Sequence, residues 1–326
     1  MGRGQGGSQN LHYPLATAAH RDPMNITSKS PITFQYLTPR NLPRAETLAG
    51  RVAVVDIAFA SEGGGSSFEG VTLPFINGLG PRLAAWVDHH DHDRHKDYAG
   101  DPRFVLSTKA EHGACPEMVT PEVVAHAGPV DTLAVHLDLD GLYAGAKWVL
   151  GGVEPYEGAD ADARAVDTRR GEPGPIAERI DRALRARFRD TNLKHRVVQY
   201  LIARTKAPHH WEEIEKAARL IDPLLDEARR IAQRYRVDGQ VAYVEANAKA
   251  PYDKTELLLL GQQRAAVAVV RDAGSLSIAA DFESGLDFVK LLDLGGGMPT
   301  RVSVPESRLD EVMRKLGEVT AHLPKA

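Results

Sequence analysis

The sequence is poor in cysteine, in aromatic residues and in charge of one sign. Cys115 is the single cysteine among 326 residues, which excludes a disulfide framework and a cysteine-based zinc cluster. The 40 Lys and Arg residues face 44 Asp and Glu residues, and the net charge of -4 gives no basic field for long duplex DNA. With 6% aromatic residues, the chain also lacks the stacking side chains that a processive single-strand exonuclease uses.

Long hydrophobic runs are absent as well. Apolar runs such as AAVAVV at 265–270 are far too short to span a bilayer. The N-terminal MGRGQGGSQN lacks the apolar core of a signal peptide, and Gly6 stands where a myristoylation signal requires Ser or Thr. We therefore expect a cytoplasmic protein that does not bind membranes, with a flexible, Gly-rich leader at 1–28.

Short apolar, β-branched runs alternate with helical segments in the first half of the chain. The strand-like runs are ITFQYL at 32–37, RVAVVDIAF at 51–59, LAAWVDHH at 83–90, FVLSTKA at 104–110 and TLAVHLDLDG at 132–141. Alternation of this kind is typical of an α/β fold with a parallel, doubly wound sheet. We assign this sheet and its helices to a domain at 29–205.

Helical periodicity replaces the alternation after residue 176. Apolar residues recur at steps of three or four through 211–231, and Asp222-Pro223 interrupts them as an N-cap and first-turn proline would. We assign 206–236 to a helical connector. Strand-like runs return after Gly239 and predict a second, smaller α/β domain at 237–326, with a hairpin turn at Ala273 and Gly274.

Acidic and histidine residues cluster at the carboxyl ends of three predicted strands. The clusters are Asp56; Asp88, His89 and His90; and His136, Asp138 and Asp140. Because the ligand crevice of an open parallel sheet lies off the carboxyl ends of its strands, we expect these groups to converge. Alternation along the last strand would place its three groups on one side.

Such a set of side chains predicts bound metal ions. Carboxylates in one crevice repel each other and are costly when ionised unless cations neutralise them. Mixed His and Asp ligands suit Mn²⁺ better than Mg²⁺, which favours oxygen. Two such ions about 4 Å apart can activate a water and hold phosphate oxygens. The sequence therefore predicts metal-assisted hydrolysis of a phosphoester or phosphoanhydride.

Each cluster taken alone has a simpler interpretation. HHDHDRH at 89–95 is also typical of a solvated, charged loop, and DLDG at 138–141 is also typical of an ordinary strand-ending turn. Asp56 alone carries almost no information. The prediction depends on three strand-end clusters of complementary ligand types in one sheet.

These motifs resemble those of the DHH phosphoesterase superfamily. VDHH at 87–90 matches the signature that names the family, and VHLDLDGLYAGAK at 135–147 matches its first motif, His-x-Asp-x-Asp-Gly before a small-residue helix. VVDIAF at 54–59 resembles the second motif, a strand that ends in a bridging aspartate. HGACPEMV at 112–119 resembles the helix after the DHH segment. LGGGMPTRVSV at 294–304 resembles the Gly-rich turn of the family's C-terminal substrate-binding domain.

The motif order differs from that of the family. Members begin with the His-x-Asp-x-Asp-Gly strand, whereas here it follows the DHH segment, so we infer a circular permutation. A permuted sheet can rebuild the same site, because spatial position rather than chain order sets the chemistry. The alternative, a degraded first motif in AHRDPMN at 19–25, lacks the second Asp and the Gly.

The C-terminal turn departs from the family as well. Met298 stands where the family commonly has His, and SLSIAADFESG at 275–285 lacks an arginine that often accompanies a serine there. Backbone N–H groups of the turn could still hold an anion, although the glycines could also serve only a tight turn. The candidate substrate-binding residues are Gly295, Gly296, Gly297 and Arg301.

The resemblance implies a role for each ligand. His136 and Asp138 would hold one metal ion. Asp140 and His89 would hold the other, and Asp56 would bridge the two. The implied cofactors are two divalent ions, with Mn²⁺ preferred and Mg²⁺ or Co²⁺ as alternatives.

Three further roles follow from the same resemblance. His90 would contact the scissile phosphate or a leaving oxygen, and Asp88 would orient the neighbouring imidazoles. The family has a fourth motif, a single Asp that completes the second metal shell. Asp167 in RAVDTRRG matches it best, with Asp131 and Asp162 as alternatives.

These expectations together predict a phosphodiesterase for short oligonucleotides or cyclic (di)nucleotides, bound in a cleft between two domains. One alternative is hydrolysis of a phosphomonoester or anhydride, such as a nucleoside bisphosphate or pyrophosphate. Another is a non-catalytic nucleotide sensor, which the altered GGGM turn favours and the complete metal set opposes. The expected partner is a small nucleotide rather than long duplex DNA, and a homodimer is compatible with the sequence.

Overall fold

The computed structural model describes residues 32–61 and 66–321. The predicted leader at 1–28 and the motif candidate at 19–25 lie outside these residues. From Ile32 onward the described chain forms one compact unit. Within the described ranges, no helix combines the length and hydropathy needed to cross a bilayer.

Strands and helices alternate through the first half, as predicted. In chain order they are β1 (Thr33–Leu37), β2 (Val52–Val55), α1 (Leu73–Leu79), β3 (Leu83–Asp88), β4 (Asp91–His92), β5 (Phe104–Leu106), α2 (Pro121–Ala127), β6 (Thr132–His136) and α3 (Leu139–Val149). The second half contains α4 (Ala159–Thr168), α5 (Pro175–Ala186), α6 (Thr191–Ile202), α7 (Pro208–Ala218), α8 (Asp222–Ala232), β7 (Arg236–Asp238), β8 (Val241–Glu245), α9 (Lys254–Gln262), β9 (Val267–Asp272), β10 (Ser275–Ala280), α10 (Phe288–Leu292), β11 (Gly296–Gly297), β12 (Arg301–Pro305) and α11 (Leu309–Thr320).

The first sheet is parallel and has the strand order β1-β6-β2-β3-β5, which confirms the predicted parallel sheet. Its central strands are apolar because both faces are covered. Ala53 and Val55 of β2 pack into the core that contains α3 and α5, whereas Val52 and Val54 pack with α1 on the opposite face. Strand β6 lies next to β2, although β3 and β5 separate the two in the chain. The end of β6 therefore lies beside that of β2.

The helical segment between the sheets follows its predicted periodicity with one difference. The apolar stripe is buried along α7, the 3-10 turn that follows it and α8, and it includes Ile214, Ile221 and Ile231. Pro223 lies in the first turn of α8, as predicted, but Asp222 is not an N-cap. Its carboxylate instead accepts a hydrogen bond from Arg182, since the chain enters α8 directly from a preceding helical turn.

The segment at 112–119 is not a full helix. It contains a short 3-10 turn, Cys115–Met118, instead of the helix that the resemblance implies. Thr120 after this turn is extended, because a residue before proline avoids helical dihedrals, and Pro121 then starts α2.

The second sheet has the strand order β12-β10-β9-β8-β7. Strands β9 and β10 are antiparallel and are joined at Ala273 and Gly274, which confirms the predicted hairpin. The two sheets are tied together by a short antiparallel pair, in which Gly296 lies opposite His92 and Gly297 lies opposite Asp91. The Gly-rich turn of the second sheet thus reaches the segment that follows β3.

Candidate metal centre

Asp56 directly follows β2, and its backbone conformation turns the carboxylate toward His89 and His136. Its φ is 59°, a left-handed value that Asp tolerates better than most residues, and its N–H donates to the carbonyl of Val87 at 2.9 Å. The side chain is only 1% exposed. A Cβ at Gly141 would lie 2.9 Å from Asp56 Oδ2 and 2.7 Å from the carbonyl of His136. Glycine at this position therefore lets α3 approach the carboxylate.

The third cluster is arranged differently from the prediction. Strand β6 ends at His136, and α3 begins at Leu139, so Asp138 occupies the N-cap position and Asp140 lies in the first helical turn. The prediction that all three groups share one side of an extended strand is wrong, because the chain has already turned into the helix. Asp138 stays with His136, while Asp140 approaches His89.

The first set of ligands, which we call the Asp56 group, consists of Asp56, His136 and Asp138. Nδ1 of His136 lies 2.7 Å from Asp138 Oδ1 and 3.4 Å from Asp56 Oδ2. Both Asp56 oxygens, His136 Nδ1 and Asp138 Oδ1 are buried without a hydrogen-bond partner of suitable geometry. Such groups are costly to bury, and a cation would satisfy them. The donor set of this group therefore fits a divalent metal ion.

The second set, which we call the Asp167 group, consists of His89, Asp140 and Asp167. Nε2 of His89 lies 3.3 Å from Asp140 Oδ2 and 3.9 Å from Asp167 Oδ2. Its Nδ1 lies 2.8 Å from the carbonyl of His112, a contact in which Nδ1 is the donor, and Nε2 faces the carboxylates. Asp167, the preferred fourth-motif candidate, thus lies beside His89 through its position on α4.

Lys109 also lies within the Asp167 group, and sequence reasoning missed it. Its side chain is 2% exposed, and Nζ lies 2.9 Å from His89 Nε2 and contacts Asp167. Burial lowers the pKa of this amine, but the charges of Asp167 and its neighbours outweigh burial and raise it. Burial likewise raises the pKa of Asp167, but Lys109 holds it at about 2. The sequence places Lys109 in a strand-like run at 104–110, but the strand ends at Leu106, and a lone lysine after it gives no signal that it will be buried.

Asp56 joins the two groups. Its Oδ1 lies 3.2 Å from His89 Nε2, and its Oδ2 lies on the side of His136. The carboxylate therefore faces both ligand sets, as the bridging role implied by the resemblance requires. The role itself stays a prediction.

Asp88 and His90, the other two residues of the Asp-His-His segment at 88–90, form a pair in which the Asp88 carboxylate contacts the imidazole of His90. His90 Nδ1 lies 2.8 Å from Asp88 Oδ1 and 3.9 Å from Asp56 Oδ1. Burial raises the pKa of Asp88, but His90 outweighs it, and the pKa is held at about 2. Asp88 thus orients His90, whereas the carbonyl of His112 positions His89.

The alternative fourth-motif residues lie in structural contacts. Asp131 accepts a hydrogen bond from the N–H of Arg51 at 2.8 Å. Asp162 accepts from the hydroxyl of Tyr156 at 2.7 Å and from the N–H of Gly174 at 2.6 Å. Neither belongs to a ligand group among the described residues.

A cavity of about 500 Å³ opens from the metal-ligand groups toward the second sheet. Its lining includes His90, Lys109, Asp138, Asp140 and Asp167 on one side and Thr255, Gly296, Gly297, Met298 and Arg301 on the other. Arg301 donates to Thr255 Oγ1 at 3.1 Å, and no carboxylate of the described residues pairs with it. Burial and the nearby Arg169 lower the pKa of this guanidinium. Acidic ligands thus line the same cavity as Arg301, which pairs with no carboxylate in the described part of the chain.

The Gly-rich turn is held by close packing. A Cβ at Gly296 would lie 2.3 Å from His92 Cδ2, so only glycine allows this approach. The carbonyl of Gly295 accepts the N–H of Asp93 at 3.1 Å. These contacts favour a packing role for Gly295 and Gly296, and Gly296 also lines the cavity together with Gly297 and Met298. Binding of an anion by the turn stays a prediction.

No protein-family model matches the chain, and no curated protein matches it. Solved structures show distant similarity. A pGpG-specific phosphodiesterase, PggH from Vibrio cholerae, matches with 12% identity and a TM-score of 0.40, over 73% of this chain and 80% of its own. The exonuclease RecJ bound to manganese matches with 11% identity and a TM-score of 0.32, over 63% of this chain and 49% of its own. RecJ from Thermus thermophilus in complex with Mg²⁺ matches with 9% identity and a TM-score of 0.35, over 57% of this chain and 36% of its own. This chain thus spans about half or less of the RecJ chains, and similarity at this level assigns no activity.

Proposed function

We propose that this protein hydrolyses a phosphodiester bond in a short oligonucleotide or cyclic dinucleotide, in a reaction that depends on a bound divalent metal ion, with Mn²⁺ preferred. The Asp56 group is the observation that carries this proposal. Its buried carboxylate and imidazole atoms make no hydrogen bond of suitable geometry among the described residues, and the group adjoins a cavity that suits a small ligand.

The ligands of the Asp56 group fit the metal. One imidazole nitrogen and one oxygen from each of two carboxylates lie within 4.8 Å of one another. This mixed set suits Mn²⁺ better than an ion such as Mg²⁺, which prefers oxygen ligands. Asp56, His136 and Asp138 would hold the ion. When bound, a divalent ion polarises a phosphoryl oxygen and lowers the pKa of a coordinated water.

His90 is placed to act on the substrate. It lines the cavity, and its Nδ1 lies against the Asp88 carboxylate, which leaves Nε2 as its free ring nitrogen. A carboxylate behind an imidazole fixes its orientation and stabilises its protonated form. His90 would therefore contact a phosphate oxygen or deliver a proton to the leaving oxygen.

The opposite wall of the cavity would bind the rest of the substrate. Arg301 is held by Thr255 and is free of carboxylate partners in the described chain, which leaves donors for a second phosphate. Phe188 lines the same cavity and is 57% exposed, so its ring could stack on a base. About 500 Å³ accommodates one or two nucleotides and not a long strand. These features support a short substrate.

Hydrolysis of a substrate panel with and without Mn²⁺ tests the proposal. The panel contains di- to pentanucleotides, cyclic dinucleotides, a nucleoside bisphosphate, pyrophosphate and long single-stranded DNA, with products separated by chromatography. We expect Mn²⁺-dependent turnover of a short phosphodiester. If only pyrophosphate or only the nucleoside bisphosphate is hydrolysed, the substrate class is an anhydride or a phosphomonoester and not a phosphodiester. Nucleotide binding without any turnover would identify a sensor instead.

A further inference from the structure

The Asp167 group contains its own cation. The ammonium of Lys109 contacts Asp167 and lies 2.9 Å from His89 Nε2, with its side chain buried. Each of these two neighbours is also a ligand candidate, and each presents the atom that would face a metal ion. The lysine therefore stands where a second ion would be expected.

The backbone around Lys109 fixes this position. Its N–H donates to Asp91 Oδ2 at 3.2 Å, and the preceding carbonyl of Thr108 accepts the N–H groups of Glu111 and His112. His112 in turn offers the carbonyl that holds His89. The loop that carries the ammonium thus also orients the imidazole it contacts.

The two ligand groups differ in how their atoms are satisfied. In the Asp56 group, both oxygens of Asp56 and the facing atoms of His136 and Asp138 make no hydrogen bond of suitable geometry within the described chain, although His136 Nδ1 lies 2.7 Å from Asp138 Oδ1. In the Asp167 group, Lys109 already contacts His89 Nε2 and Asp167 Oδ2. A buried ammonium needs carboxylates around it, and this group supplies them. Among the described residues, imidazoles but no lysine or arginine contact Asp56 and Asp138, whereas the Asp167 group contains the ammonium of Lys109. A cation from solution therefore has a place in the first group and not in the second.

We propose that the ammonium of Lys109 takes the place of the second metal ion, so that the protein binds one divalent ion, in the Asp56 group. This inference rests on the proposed metal-dependent function. It replaces the second of the two ions implied by the sequence resemblance with a fixed single charge. Because Lys109 also lines the cavity, the same ammonium can contact an oxygen of the substrate phosphate.

Counting bound ions tests the inference. The full-length wild-type chain, Lys109→Ala and Lys147→Ala are saturated with Mn²⁺, freed of unbound metal and analysed for Mn²⁺ per chain. Lys147 is the matched control, since it is also buried and paired with an aspartate, Asp160, away from the ligand groups. We expect one ion in the wild type, two in Lys109→Ala and one in Lys147→Ala.

Every other count overturns the inference. Two ions in the wild type would show that Lys109 does not occupy a metal position, and they would leave the proposed function intact. One ion in a folded Lys109→Ala chain would show that the ammonium is not what excludes the second ion. No ion in the wild type would remove the metal-dependent function and the inference together.

A spectroscopic measurement on the wild-type protein tests the same inference without a variant. Electron paramagnetic resonance of the Mn²⁺-loaded protein distinguishes an isolated ion from a coupled pair. We expect the hyperfine spectrum of an isolated ion. The spectrum of two exchange-coupled ions would contradict the assignment of Lys109, even if Lys109→Ala failed to fold.

Discussion

The Asp56 group and the Asp167 group consist of the same residue types and lie side by side, but their charges are balanced differently. Asp56, His136 and Asp138 present buried atoms that make no hydrogen bond of suitable geometry in the described part of the chain, and no lysine or arginine there pairs with them. The Asp167 group encloses the ammonium of Lys109. Carboxylates and imidazoles therefore indicate where positive charge is needed, but they do not indicate whether the protein or the solution supplies it.

Different residues of the site face the metal-ligand groups, the cavity and the opposite wall. Asp56 faces both groups through its two oxygens, whereas His90 is turned toward the cavity and is supported by Asp88. The wall formed by Arg301 of β12 and Thr255 of α9 belongs to the part of the chain that carries the second sheet. Changes at Asp56, His90 and Arg301 should therefore affect metal binding, turnover and substrate affinity, respectively.

Asp56→Asn should have the largest effect, because it removes the carboxylate that faces both groups while keeping the side-chain shape. We expect kcat/KM to fall on the order of 1000-fold or more, beyond the roughly 10- to 100-fold typical of outer-shell changes. Mn²⁺ affinity, measured by calorimetry, should fall with it. Asp131→Asn is the matched control, since the Asp131 carboxylate accepts a hydrogen bond from the N–H of Arg51 and belongs to no ligand group among the described residues, and it should keep activity within about twofold.

Retained activity in Asp56→Asn would contradict the proposal that Asp56 holds the metal ion on which turnover depends. Loss of activity with unchanged Mn²⁺ affinity would also contradict it, because the ion would then lie elsewhere.

His90→Asn should have the next largest effect. It removes the imidazole that faces the cavity, so kcat should fall about 100-fold, as expected for loss of a general acid. Mn²⁺ affinity should stay unchanged, because the atoms of the Asp56 group remain. Steady-state kinetics and Mn²⁺ titration of the same preparation measure both quantities. An equal loss of affinity and turnover would make His90 a metal ligand instead, as its proximity to Asp56 and His89 allows.

Arg301→Gln should have the smallest effect. The change removes a charged donor from the wall opposite the ligand groups, and we expect KM to rise about tenfold with little change in kcat. Arg170→Gln serves as the control, because Arg170 pairs with Asp281 and Glu283 rather than lining the cavity. An equal rise in KM in both variants would indicate a general loss of surface charge rather than loss of a substrate contact.

Much of this arrangement was predictable from the sequence. Parallel strands place their carboxyl ends at one edge, so the convergence of Asp56, His89 and His136 follows from three apolar runs that end in ligand residues. The hairpin at Ala273 and Gly274 is likewise local, because turn residues and flanking strands specify it. The metal-ligand roles of these side chains stay predictions.

The remaining features depend on contacts between distant segments. Whether the chain turns into α3 at Asp138 or continues as a strand is decided by packing, and that choice sends Asp140 toward His89. Lys109 is buried where its loop meets His89 and, on α4, Asp167. The approach of Gly296 to His92 joins residues some two hundred positions apart, and no local pattern encodes it.

The most direct test of the central claim is removal and return of the metal ion. The wild-type protein is stripped with a chelator, and hydrolysis of a dinucleotide is followed before and after Mn²⁺ is added back. We predict no turnover in the stripped protein and full recovery with Mn²⁺, with His136→Ala failing to recover at the same concentration. Undiminished turnover by the metal-free protein, or full recovery by His136→Ala, would contradict a metal ion held in the Asp56 group.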